Sequence, residues 1–162
     1  SRSQTGQLDL EVCDHELSSL IFQNIELFRN GLSEKNIRLE ANIKDGQKVL
    51  CDARSMQTVL RNLFSNAIKF TSDNGAISIS TGNKDFYTWI EVKDNGIGMD
   101  KDTLEHLFDI GRKNSRLGTS MEKGSGLGLV LCKEFIALNK GYLEVDSKVG
   151  EGSTFRVYLP SA

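Results

Sequence analysis

Hydrophobic and polar positions along the chain follow two different periods, which together predict interleaved helices and strands. Apolar residues fall at helical spacing over residues 17–32 and 56–67, with Asp14 and Asp52 as candidate N-caps. Gly31 is a candidate stop for the first of these helices. Alternation of apolar and polar residues, or a short apolar run, instead predicts a strand. Strands are expected at residues 8–12, 37–43, 49–51, 77–79, 86–93, 142–147 and 154–159, with turns at 72–75 and 82–85.

The second half of the chain adds a polar loop between two further helices. A short helix is predicted around Leu104, and a longer one opens at Gly126-Leu127-Gly128 and stops near Gly141. Residues 111–125 are polar, basic and almost without apolar side chains, so we expect them to form a mobile loop. Because several strands are joined by turns of hairpin length, the whole pattern predicts a mixed sheet with helices stacked on one face.

Composition indicates a globular protein of the cytosol. Its 162 residues suit a single domain over residues 1–162, with 1–7 as a tail, and 38% of them are hydrophobic. The net charge of -2 gives no general case for nucleic-acid binding. No apolar run approaches the ~20 residues of a membrane span. Cys13, Cys51 and Cys132 show neither metal-ligand spacing nor a disulfide framework, which favours a reducing compartment.

A polar stripe runs along the helix predicted after Asp52. Asn62, Asn66 and Lys69 fall within roughly 60° of one another on this helix, beside its apolar face. A carboxamide oxygen can ligate a hard cation, and an ammonium group can meet a phosphate. Taken alone, the stripe is more simply a solvated polar face.

Two glycine clusters follow. In the first, Asp94 ends a strand and is followed by Gly96 and Gly98, which permit close approach of the backbone to a ligand. A carboxylate only accepts hydrogen bonds, so it suits an exocyclic amine such as that of adenine, although an ordinary Asp-Asn-Gly turn explains the same letters. The second cluster, residues 124–129, has three glycines directly before a predicted helix. The N-terminal end of a helix favours an anion. The second cluster matches neither a Walker loop nor the Rossmann fingerprint.

In this order the three clusters resemble the nucleotide-binding boxes of the histidine-kinase and gyrase-type ATPase superfamily. They are most similar to the catalytic ATP-binding domain of a bacterial sensor histidine kinase, over residues 8–160. Residues 60–70 match its asparagine box, 94–98 and 124–129 its glycine boxes, and 150–155 its C-terminal glycine-threonine turn. The fold that the resemblance implies is an α/β (α+β) sandwich, with a mixed sheet of about five main strands and about three helices on one face.

The resemblance also implies ATP and Mg²⁺ as ligands and assigns roles to individual residues. Asn66 would ligate the magnesium ion, Asn62 would support the phosphates and metal shell, and Lys69 would neutralise phosphate charge. Asp94 would recognise the adenine amine, with help from Thr154. The remaining nucleotide-binding residues are expected to be Phe70 against the base and Gly96 and Gly98 beside it. Residues 111–125 are expected to form a mobile lid, and Gly124, Gly126, Leu127 and Gly128 would let it fold over the phosphates.

Position 62 separates the possible reactions. The ATP-hydrolysing members of the superfamily resemble one another in a glutamate at this position, which would activate water, whereas this chain has Asn62. This favours phosphoryl transfer to a protein acceptor. Neither His15 nor His106 is expected to be that acceptor. The expected partners are therefore a dimerisation and histidine-phosphoacceptor domain outside this chain and, after it, a response-regulator receiver domain.

Other members of the superfamily remain alternatives. A serine kinase of the anti-sigma type shares the fold, an ATP-hydrolysing clamp would be expected to carry the glutamate, and a degenerate regulatory module would be expected to have lost a box. The chain by itself is expected to be monomeric, because dimerisation belongs to the acceptor domain. It is expected to be a cytoplasmic domain, and a membrane anchor elsewhere in the parent protein is compatible with the resemblance.

Overall fold

The computed structural model describes residues 9–109, 118–119 and 127–162, and these residues form seven strands and five helices. The predicted N-terminal tail lies outside them, as does nearly all of the predicted loop 111–125. In chain order the elements are β1 Val12–Glu16, α1 Leu17–Leu27, α2 Arg29–Glu34, β2 Arg38–Asn42, β3 Lys48–Asp52, α3 Ala53–Phe70, β4 Ala76–Lys84, β5 Tyr87–Asp94, α4 Lys101–Glu105, α5 Gly128–Leu138, β6 Tyr142–Lys148 and β7 Gly152–Pro160.

The predicted fold class is confirmed. A five-stranded sheet has the order β2-β4-β5-β7-β6, and β1 pairs with β3 in a separate two-stranded sheet. The larger sheet is mixed. Strand β2 runs parallel to β4, whereas the pairs β4–β5, β5–β7 and β7–β6 are antiparallel. The three longer helices α1, α3 and α5 pack together over the inner side of this sheet, where α3 contacts β5 and α5 contacts β6 and β7. No helix within the described ranges is both long and apolar enough to cross a membrane.

Helix α3 occupies the centre of the helical layer. Its apolar stripe is buried as the spacing predicts, from Met56 at 1% exposure to Ala67 at 4%. The predicted cap is also confirmed, because the Asp52 side chain accepts a hydrogen bond from Ser55 N at 2.9 Å. Burial raises the pKa of Asp52, but hydrogen bonds from Ser55 and from Glu11 N outweigh it, and the net pKa lies below its usual value. The polar stripe is half-buried and lies beside this apolar face on the same helix.

Several boundaries in the sequence analysis were wrong. Strand β1 spans Val12–Glu16 rather than residues 8–12, so Asp14 lies within a strand and caps no helix. Gly31 lies inside α2, because the first helical segment is interrupted at Phe28 and resumes. The expected turn 82–85 is also shifted, since β4 continues through Lys84. In each case strand pairing or packing decides the boundary, and local spacing alone does not report it.

A buried lysine closes the C-terminal end of α3. The last carbonyls of any helix lack partners within it. Lys35 is 7% exposed, and its Nζ donates to the carbonyl oxygens of Ile68 at 2.8 Å and Lys69 at 3.1 Å. It also donates to Thr71 O at 3.2 Å and to Thr119 Oγ1 at 2.8 Å. The positive charge therefore lies at the negative end of the helix dipole and joins α3 to the segment containing Thr119.

We expect Lys35→Met to lower the free energy of unfolding by about 2–3 kcal/mol, because buried carbonyls would lose charged donors. Urea denaturation followed by circular dichroism measures this. Lys101→Met is the matched control, since the Lys101 side chain is 91% exposed. A change within ~0.5 kcal/mol is expected for it. Equal effects of the two substitutions would contradict the role given to Lys35.

Candidate functional site

The end of α3 meets the end of β5 at a backbone-to-backbone contact. Ile97 N donates to Phe70 O at 3.0 Å, directly beyond the strand that ends at Asp94. A Cβ atom added at Gly96 would lie 2.1 Å from the same carbonyl oxygen. The first glycine cluster is therefore packed against the last residue of the asparagine-bearing helix, and glycine is required for this approach.

Asp94 is held in a fixed orientation at this junction. The residue is 6% exposed, and its Oδ1 accepts hydrogen bonds from Gly96 N at 2.9 Å and Ser153 N at 3.2 Å. Both of these donors are backbone amides, so the main chain fixes the orientation of the carboxylate. Such a carboxylate presents an acceptor of defined direction.

Ser153, rather than Thr154, is the β7 residue next to Asp94. Thr154 pairs with Lys93 across the sheet, and side chains on one strand alternate between faces. Thr154 therefore shares the outer face with Lys93, whereas Asp94 and the 7% exposed Ser153 belong to the inner face. The structure does not bring the Thr154 side chain to Asp94. The apolar residue Phe155 was the sequence signal for this placement. An apolar side chain is expected on the inner face, and residues 153 and 155 share a face.

The turn between β6 and β7 supports the glycine cluster from the other side. Gly150 N donates to Ile97 O at 2.8 Å, and Met99 N donates to Ser147 Oγ at 2.8 Å. Gly98 has a φ of +69°, and a Cβ atom there would lie 1.9 Å from Lys148 O. The loop after Asp94 is thus held between α3 and the β6–β7 turn.

Asn62 faces the beginning of α5. Its Nδ2 donates to Thr58 O at 3.0 Å, and its Oδ1 lies 2.7 Å from the position that a Cβ atom would take at Gly128. Gly128 therefore lets α5 start directly beside the asparagine helix. This contact brings Gly128, the last glycine of the second cluster, to Asn62 of the asparagine box.

The other polar positions of the helix lie on its half-exposed side. Asn66, Lys69 and Phe70 are each partly buried near the C-terminal end of α3. Lys69 Nζ lies 5.0 Å from the centroid of the Phe70 ring, an arrangement suited to a cation–π contact. An ammonium group and a carboxamide thus occur on one side of the helix, one turn apart, on the flank that also carries Asn62.

Part of the expected site lies outside the described residues. Gly124 and Gly126 are not among the described residues. Leu127 is described; it precedes α5 and is 61% exposed. Thr119, within the expected lid, donates from its backbone to Lys69 O at 2.9 Å and from Oγ1 to Thr71 O at 2.7 Å. Sequence reasoning missed both Thr119 and its neighbour Lys35.

The two histidines occupy ordinary structural positions. His15 lies in β1 opposite Val49. His106 follows α4, with Nδ1 2.7 Å from Asp109 Oδ2 and Nε2 3.7 Å from Asp102 Oδ1. Neither is placed at the junction around Asp94.

Comparison with known proteins decides the family. Residues 51–162 match the family described as histidine kinase-, DNA gyrase B-, and HSP90-like ATPase. The chain belongs to this ATPase family. The matched region begins at the end of β3 and includes α3, Asp94, Gly128 and the β6–β7 turn, and binding of ATP follows from membership at the level of the family.

Its relatives and structural neighbours are histidine kinases. The chain is 31% identical to the circadian input-output histidine kinase CikA of Synechococcus elongatus over 99% of its own length. The catalytic domain of histidine kinase ThkA superposes with a TM-score of 0.81 at 25% identity, covering 93% of this chain and 96% of that one. Full-length ShkA in complex with AMPPNP superposes with a TM-score of 0.80 at 25% identity, covering 96% of this chain and 32% of that one. The chain is thus a catalytic ATPase domain of the sensor histidine kinase type.

The chain corresponds to only part of these relatives. It spans 22% of the length of CikA and 42% of the length of the adaptive-response sensory kinase SasA of Crocosphaera subtropica. The match to the ThkA catalytic domain, in contrast, covers almost all of that domain. The unit in common is therefore the ATPase domain.

We expect Gly98→Ala to destabilise the domain by at least ~2 kcal/mol more than Gly150→Ala. Both glycines have positive φ, +69° and +80°, so both substitutions carry a similar backbone penalty of roughly 1–2 kcal/mol. Only Gly98 faces a backbone oxygen, Lys148 O, while nothing lies within 4 Å of the Cβ position at Gly150. The difference reports the overpacking at Gly98. Thermal and urea unfolding measure it, and similar losses for the two variants would show that close approach at Gly98 is unimportant.

Proposed function

We propose that this domain binds ATP with Mg²⁺ and presents the γ-phosphoryl group to a histidine on a phosphoacceptor domain of the parent kinase. The observation that carries the proposal is the junction at Asp94. Backbone amides orient a buried carboxylate there, beside Gly96, which packs against the end of the asparagine helix. An acceptor with fixed direction suits the exocyclic amine of adenine.

The adenine subsite is assigned to the junction itself. Asp94 accepts from the amine, and Gly96 and Gly98 keep the backbone close enough for the base to lie against it. Phe70, at the last position of α3, borders the base. Ser153 joins this subsite because its amide holds Asp94, and we propose it in place of Thr154 as the β7 residue that supports adenine recognition.

The phosphate subsite is assigned to the polar flank of α3 and the start of α5. Asn66 offers a neutral oxygen of the kind that Mg²⁺ accepts alongside phosphate oxygens and water. Asn62 faces Gly128, so it supports the phosphates where the second glycine cluster arrives. Lys69 contributes positive charge. Bound Mg²⁺ would neutralise phosphate charge, and the residues around it would position the γ-phosphoryl group. Gly124, Gly126 and Leu127 complete the proposed lid.

Transfer is favoured over hydrolysis by the chemistry at position 62. An amide cannot remove a proton from water as a carboxylate can, and Asn62 already donates from Nδ2 to Thr58 O at 3.0 Å. A histidine on the acceptor domain would receive the phosphoryl group, and a receiver-domain aspartate of a response regulator would receive it next. We propose a cytoplasmic site of action and a monomeric state for the domain alone. The serine-kinase and clamp alternatives share the ATP site and differ in the acceptor.

We expect Asp94→Asn to weaken the binding of a non-hydrolysable ATP analogue about 100-fold, measured by calorimetric titration. The substitution keeps an oxygen for the two amide donors but sets an NH₂ group where the adenine amine needs an acceptor. Asp85→Asn is the matched control, because it removes the same charge at the opposite end of β5, at a φ of +54° that asparagine tolerates.

Unfolding of both variants is measured beside the titration, so that lost binding is not confused with lost fold. Equal affinity of Asp94→Asn and wild type would contradict the adenine assignment. Binding of adenosine alone, weakened by the same substitution, would locate the effect at the base rather than at the phosphates.

We expect Asn66→Ala to remove the Mg²⁺ dependence of nucleotide affinity. Wild type should bind the analogue more tightly in Mg²⁺ than in a chelator, whereas the variant should bind with similar affinity in both, because the protein ligand to the ion is gone. Ser65→Ala, at the exposed neighbouring position, should behave as wild type. If Asn66→Ala keeps the full Mg²⁺ effect, another residue is the ligand.

A further inference from the structure

The two-stranded sheet places two cysteines directly opposite one another. In the antiparallel register of β1 and β3, Cys13 is the partner of Cys51. Leu17 N donates to Gln47 O at 2.9 Å in the same register, and hydrogen-bonded pairs recur at every second position, so Cys13 and Cys51 form a hydrogen-bonded pair. Opposite residues project to the same side of the ribbon. The spacing of Cys13, Cys51 and Cys132 in the sequence gave no indication of this pairing.

The geometry of such a pair suits a covalent bond. The Cα atoms of a hydrogen-bonded antiparallel pair are about 5.5 Å apart. Disulfides most often join residues with Cα atoms about 5.5–6 Å apart. Cys132, the third cysteine, is buried in α5, and its Sγ contacts Val59 O, so it belongs to a different part of the core.

The two thiols differ in access, which defines their order of reaction. Cys13 is exposed, whereas Cys51 is fully buried. Burial, with smaller contributions from Asp52 and Cys13, raises the pKa of the Cys51 thiol to about 12. Cys13 is therefore the thiol that an external reagent meets first, and Cys51 is the thiol that reacts within the protein.

We propose that Cys13 and Cys51 are a reversible redox pair, which forms a cross-strand disulfide by exchange with a small-molecule disulfide such as oxidised glutathione. The Cys13 thiolate attacks one sulfur of the reagent, a mixed disulfide forms, and one thiolate leaves. The Cys51 thiolate then attacks the Cys13 sulfur, and the second thiolate leaves. Both protein thiols are oxidised, one disulfide reagent is reduced to two thiols, and the protons of the two cysteines pass to solvent and the released thiolates.

The disulfide would act beside the start of the nucleotide helix. Cys51 precedes Asp52, whose Oδ2 caps α3 at Ser55 N and whose Oδ1 accepts from Glu11 N at 3.1 Å. At present β1 is held to β3 by strand hydrogen bonds and this contact. A covalent link would close the loop over residues 13–51 and fix β1 to the strand that leads into α3. In a reducing compartment the pair stays as thiols, so the bond reports an oxidising change.

The experiment treats the whole chain with oxidised glutathione in a redox buffer, followed by intact mass measurement and non-reducing peptide mapping. We expect the protein to lose a pair of hydrogen atoms, with the peptides of Cys13 and Cys51 linked. Its melting temperature should rise by roughly 5–10 °C and return to the starting value on reduction.

Three variants sharpen the result. Cys51→Ala should stop at the mixed disulfide on Cys13, Cys13→Ser should remain unmodified, and Cys132→Ala should still form the internal bond. The product formed by the unsubstituted chain decides the proposal, so the test does not depend on a variant that folds poorly. A wild-type product that stops at a glutathione adduct, links Cys13 between two molecules or stays reduced would overturn the proposal. None of these outcomes depends on nucleotide binding, so failure here is separate from failure of the proposed ATP site.

Discussion

The carbonyl groups at the C-terminal end of α3 are the constraint on which the site depends. A helix end leaves its last carbonyls without helical partners, and a buried end must find others. Here the donors come from separate parts of the chain: Lys35 Nζ to Ile68 O and Lys69 O, Thr119 N to Lys69 O, and Ile97 N to Phe70 O. The requirement to satisfy one helix end thus joins the asparagine box, the loop after Asp94 and the segment containing Thr119.

Glycine at this junction is a consequence of the same constraint. The β5 loop can reach Phe70 O only because Gly96 has no Cβ, and the β6–β7 turn can reach the loop only because Gly98 has none. Asp94 is then oriented by amides from both sides, at Gly96 and Ser153. The carboxylate therefore keeps a defined direction at the junction.

The sequence predicted the elements whose signal is local. The apolar stripe of α3 and its Asp52 cap act through neighbouring residues, and the structure contains both as expected. The features that the sequence did not predict depend on pairing between distant segments of the chain. Strand β1 was displaced because its position is fixed by β3, Lys35 resembled any charged helix-end residue, and Cys13 and Cys51 become neighbours only in the folded ribbon. Thr154 was assigned from the resemblance of residues 150–155 to the glycine-threonine turn of the family. The alternation of side chains along β7 places Ser153, and not Thr154, beside Asp94.

The most direct test of this account is an NMR titration of the ¹⁵N-labelled domain with an ATP analogue and Mg²⁺. If the end of α3 and the loop after Asp94 form one nucleotide site, the largest shifts should fall on the amides of Gly96, Ile97, Gly98 and Ser153, with smaller shifts on Thr119. Amides of the β4–β5 turn, at Asp85 and Phe86, should stay unchanged because they lie at the opposite end of β5. Shifts confined to that turn or to the outer face of the sheet, with the junction unmoved, would contradict the account.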